Sequence, residues 1–74
     1  MVKSKERSAK NEKIGGGFIV FRRGGATGRI ITPLNTIPFE HGSFEAAERE
    51  MNKLAATHSG KEFCVFYQVT SAKL

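Results

Sequence analysis

Residues 43–70, SFEAAEREMNKLAATHSGKEFCVFYQVT, read as a short amphipathic helix, a glycine stop and an apolar strand. Ser43 is suited to cap the helix, because its hydroxyl can accept from a free amide of the first turn. Glu45 and Glu48 follow early in the helix, where the positive end of the helix dipole favours acids. Phe44, Ala47, Met51, Leu54, Ala55 and His58 recur at three- and four-residue steps and form one face, with Ala46, Glu50, Lys53 and Thr57 largely outside it. Glu45 and Arg49 are a favourable i,i+4 pair worth about 0.2–0.5 kcal/mol. Gly60 is placed to take the left-handed conformation that closes a helix.

The strand that follows, over residues 63–70, alternates. Phe63, Val65, Tyr67 and Val69 make an apolar face, which is expected to meet the helix, and Cys64, Phe66, Gln68 and Thr70 make a mixed one. Upstream, residues 18–23 (FIVFRR) read as a strand that is apolar on both faces for four residues. A glycine-rich loop leads from it into a return strand begun by Gly28, Arg29, Ile30, Ile31 and Thr32. Pro33 cannot donate to a ladder, so the return strand is expected at an edge or interrupted there. Ile37 and Phe39 alternate in the manner of a strand that resumes. The result is an α+β domain in β-β-α-β order: a three-stranded antiparallel sheet with strand order 2-1-3 and one helix on one face.

The chain has 74 residues, one cysteine, no aspartate and a formal net charge of +5. A chain this short forms one small domain with a marginal core, and one cysteine leaves no internal disulfide to reinforce it. Lacking a secretory signal pattern, the sequence suggests a reducing, cytoplasmic setting, and no apolar run is long enough to cross a membrane. Lys3, Lys5, Arg7, Lys10 and Lys13 crowd residues 1–14 against only Glu6 and Glu12. We read 1–14 as a disordered basic arm and 15–74 as the domain. Arg22, Arg23 and Arg29 bracket the glycine loop. This asymmetry points to an acidic partner: nucleic acid, a nucleoprotein complex or an acidic protein surface.

One helix covers only one face of a sheet, yet Phe18 and Val20 alternate with Ile19 and Phe21, and Phe66 opposes the main apolar face of its strand. Apolar surface is therefore expected to remain uncovered, and it suits a protein partner, a homodimer or stacked bases. Residues 15–21 (GGGFIVF) are loosely similar to the main motif of RNA recognition domains, but the leading basic residue, the first aromatic and the βαββαβ order are missing. Gly24, Gly25, Ala26, Thr27 and Gly28 lack the lysine-serine/threonine ending and following helix of a P-loop, and read as a hairpin loop. Glu40, His41, His58 and Cys64 have metal-ligand chemistry without paired spacing, and no nucleophile has an orienting partner. No catalytic, cofactor or metal site is expected, so the protein reads as non-enzymatic.

The run 37–48 (IPFEHGSFEAAE), continued by 54–63 (LAATHSGKEF), resembles a pattern in small phage- and prophage-type ββαβ proteins: a serine-capped helix, a glycine stop and an aromatic strand. It covers about the second half of the chain and carries no assigned catalytic residues. The resemblance implies a binding role on nucleic acid or a nucleoprotein, or else inhibition of a host defence protein in the manner of anti-CRISPR proteins; a structural homodimer is the third reading. In the host cytoplasm, the candidate contacts are Lys10, Lys13, Arg22, Arg23 and Arg29 as cations, with Phe21 and Phe66 as aromatic anchors.

Overall fold

A computed structural model describes residues 11–33 and 37–74. The elements follow in the order β1 (Phe18–Arg23), β2 (Ile30–Ile31), α1 (Phe44–Thr57) and β3 (Phe63–Tyr67). The sheet is antiparallel with order β2-β1-β3, so β1, apolar on both faces over its first four residues, lies in the centre. The α+β class, the element order and the strand order agree with the sequence reading.

Ser43 has extended backbone and its Oγ accepts from the Ala46 N–H at 3.2 Å, which fixes the start of α1. At the other end the His58 N–H donates to Leu54 O, and Gly60 turns the chain at φ +89°. Pairs across β1 and β3 share a face. Phe18 with Tyr67, Val20 with Val65, and Arg22 with Phe63 lie toward the helix; Ile19 with Phe66 and Phe21 with Cys64 lie away from it. Val20, Ala47 and Phe63 form the buried cluster, joined by Phe18, Met51, Leu54 and Val65. The Phe18 ring meets both Phe44 (6.2 Å between centroids) and Tyr67 (5.5 Å), which ties the helix start to the sheet.

The helix presents a slightly different arc from the one its periodicity suggests. Ala55, expected on the inner face, is exposed, whereas Ala46 and Glu50, expected outside it, are half-buried. The cause is a second neighbour: Glu50 borders a cleft with Val20, Phe39 and His41, so the segment before the helix covers part of its flank.

β2 is shorter than expected. The Gly28 N–H donates to Gly24 O and the Gly24 N–H to Arg29 O, so the loop uses the backbone that was expected to open the strand. Past Ile31 the chain leaves the ladder, and Ile37 and Phe39 do not resume it as a strand. Arg22 faces Ile31, and an uninterrupted strand in that register would bring residue 35 opposite Phe18. His41 stands there instead, exchanging both backbone hydrogen bonds with Phe18, so the pairing register differs by six residues between Ile31 and His41. β3 ends at Tyr67 rather than at residue 70 because its partner Phe18 is the first residue of β1.

Of the expected arm, residues 1–10, Lys10 among them, lie outside the described residues. Residues 11–14 lie against the segment before the helix, where Glu12 bridges His41. The Lys13 N–H donates to Glu40 O at 2.8 Å, the Glu40 N–H to Glu12 Oε2, and the Gly15 N–H to Glu40 Oε1. Gly17 sits where these segments converge: a Cβ there would lie 2.7 Å from both Glu40 Cβ and Lys13 O, and 2.9 Å from His41 O. Gly17→Ala is therefore expected to destabilise the fold by about 1–3 kcal/mol, as overpacking against backbone does. Gly25→Ala, which meets nothing within 4 Å, is expected to stay within about 0.5 kcal/mol of the parent. Urea midpoints for the two variants measure the difference.

Candidate nucleic-acid interface

Strand alternation divides the basic and aromatic residues between two sides of the sheet. Ile19, Phe21 and Arg23 of β1, Ile30 of β2, and Cys64 and Phe66 of β3 share the face away from the helix. Among the described residues no helix or strand covers it. Phe21 and Phe66 pack edge to face, with centroids 5.8 Å apart and planes at 84°, an arrangement that leaves one aromatic surface presented to solvent. Phe66 is 37% exposed, and Ile19, Phe21, Ile30 and Cys64 are half-buried.

Arg23 borders this apolar patch at the hairpin end. Its guanidinium donates to Gly28 O at 2.7 Å, which braces the loop and holds the charge near the sheet. Arg29 is exposed within the same loop, and its N–H donates to Thr27 Oγ1. The Arg23 N–H donates to Glu62 O at 3.0 Å, so the turn after the helix lies against the hairpin. Between the two turns is a cleft of about 290 Å³ lined by Arg22, Arg23, Gly24, Gly28, Lys61 and Glu62, among others. Three cations against one carboxylate make it electropositive, and glycines on its wall permit close approach of a phosphate to backbone.

Not every candidate joins this group. Arg22 pairs with Phe63 and Ile31 on the helix side, so it reaches the cleft from the face opposite Arg23. Lys13 is exposed beside Glu40 and His41, at the Phe18 end of β1. With a rise of about 3.3 Å per residue, the length of β1 keeps it far from Arg23. Ile19 and Ile30 lie on the same face and Lys61 lines the cleft, and none of the three was among the sequence candidates. Strand alternation was the signal for Ile19 and Ile30; only the pairing register of β3 brings Lys61 to the hairpin.

The residues with metal-ligand chemistry do not converge: among the described residues no three His, Cys, Asp or Glu side chains are placed to hold an ion. Both histidines have aromatic neighbours, Phe39 for His41 at 4.8 Å and Phe63 for His58 at 6.2 Å. The Cys64 thiol lies 3.9 Å from Glu62 Oε2. Among the described residues no helix is long and apolar enough to cross a membrane. The chain matches no family model, no curated protein and no solved structure.

The two aromatic faces of β3 are expected to respond differently to truncation. Phe63 is 7% exposed within the core cluster, and Phe63→Ala is expected to cost about 3–5 kcal/mol. Phe66→Ala removes surface from the uncovered face and is expected to cost nearer ~1 kcal/mol. Thermal and urea unfolding of the two variants test this separation.

Proposed function

We propose that this protein is a non-enzymatic binding protein of phage or mobile-element type that acts on nucleic acid, free or within a nucleoprotein complex. The observation that carries this reading is the Phe21–Phe66 ring pair, partly exposed on an uncovered sheet face that ends in Arg23, Arg29 and the Lys61 cleft. Aromatic rings stack on any base, and guanidinium and ammonium groups neutralise phosphates. The rings lie along the face and the cations gather at its hairpin end. A net charge of +5 supplies the attraction that brings a polyanion to it. Binding by this face requires no proton transfer, metal or cofactor.

The test is fluorescence anisotropy with labelled single-stranded and duplex oligonucleotides across a salt series. Affinity is expected to fall linearly on a log–log plot, with a slope of about −0.7 per phosphate neutralised on a single strand. Arg29→Gln with Lys61→Gln, both exposed side chains, is expected to reduce that slope by about 0.7 for each phosphate left without its cation. Phe66→Ala is expected to weaken single-strand binding by about 1–3 kcal/mol with the slope kept. No binding of DNA or RNA at low salt contradicts the reading and leaves the uncovered face to a protein partner, such as a host defence effector.

A further inference from the structure

β3 has a neighbour on one side only. β1 pairs with it along Phe63–Tyr67, and among the described residues no segment pairs with its other edge. The direction of its peptide groups follows from alternation. The Arg23 N–H donates to Glu62 O, so Glu62, Cys64 and Phe66 turn their N–H and C=O toward β1. Phe63, Val65 and Tyr67 turn theirs outward. Folded proteins ordinarily protect such an edge with charge, proline or a bulge. FCVFY has no charge, proline or glycine, and its β1 register runs without a bulge.

We propose that this edge pairs with the same edge of a second copy of the chain, antiparallel about a two-fold axis. Val65 lies opposite its own counterpart, Phe63 opposite Tyr67, and Cys64 opposite Phe66. This register joins every outward N–H and C=O of the strand to a partner. A shift by two residues in one direction sets Lys61 and Glu62 against Val65 and Cys64, which are not ionic partners. A shift in the other direction requires residues 68–71, beyond the end of the strand.

Two further observations favour a second copy over an unrelated peptide. The strand is complementary to itself: its own copy sets Phe63 opposite Tyr67 and Val65 opposite Val65, aromatic and β-branched cross-strand pairs, and brings no like charges together. The buried core is also thin: Val20, Ala47 and Phe63 are its members among the described residues, in a chain with one cysteine. Domains of this size commonly gain stability by association, and the seam adds cover to Tyr67, 63% exposed, and to Val65. The axis runs normal to the sheet, so both uncovered faces look the same way across six strands. The two hairpin clefts then stand at opposite ends of that surface. The inference is independent of whether the surface binds nucleic acid.

Analytical ultracentrifugation and amide hydrogen exchange on the full chain test it. The expected mass is twice 8.1 kDa at micromolar concentration, with the Phe63, Val65 and Tyr67 amides protected alongside those of Cys64 and Phe66. Tyr67→Pro removes one outward N–H and no bond to β1. It is expected to abolish the doubled mass and the protection at Phe63 and Val65 while leaving Cys64 and Phe66 protected. A monomer at millimolar concentration overturns the inference, as does a dimer whose outward amides exchange freely, the result expected of face-to-face stacking. If Tyr67→Pro also loses protection at Cys64 and Phe66, the pattern in the parent chain decides.

Discussion

Ala47, with no accessible surface, closes against Val20 and Phe63, and the rest of the fold is arranged around that contact. A residue as small as alanine lets the helix axis come close to the sheet, and Phe63 and Val20 fill the space beside it. Ser43 and Gly60 set the helix length, so that its inner face spans one side of β1 and β3 and no more. The constraint is geometric. One helix shields one face, and a sheet with apolar residues on both sides keeps the other in contact with water or a partner.

That constraint gives the uncovered face its character. Phe21 and Phe66 are held against each other by the register of β1 and β3, with Ile19 and Ile30 beside them. The same register brings Glu62 to Arg23 and so closes the cleft between the hairpin and the turn after the helix. Rings on a rigid sheet need little ordering to stack, and cations on loops adjust to a flexible backbone. The proposed binding role draws on both properties, and the proposed pairing of β3 edges would extend the surface without altering either.

What could be read from the sequence was local. The Ser43 cap, the spacing of Ala47, Met51 and Leu54, the stop at Gly60 and the apolar run of β1 depend on neighbours within a few residues, and each is found where expected. What could not be read depends on contacts across the chain. Gly17 looks like one of three equivalent glycines until Glu40 and His41 are brought against it. The excursion between Ile31 and His41 has a proline to start it but no local signal for where the ladder resumes. Among the candidate contacts, alternation alone was enough to place Arg22 and Arg23 on opposite faces. The distance of Lys13 from the hairpin and the arrival of Lys61 at the cleft needed the pairing of distant segments.

The central claim is that the face away from the helix, with the hairpin end, is the surface that meets a partner. Nuclear magnetic resonance of the isotope-labelled protein, titrated with a short single-stranded oligonucleotide, tests it most directly. The account predicts shift changes at Ile19, Phe21, Arg23, Ile30, Cys64, Phe66 and Lys61, with Ala47, Met51 and Leu54 unmoved. Changes confined to the helix, or spread evenly over the domain, would contradict it.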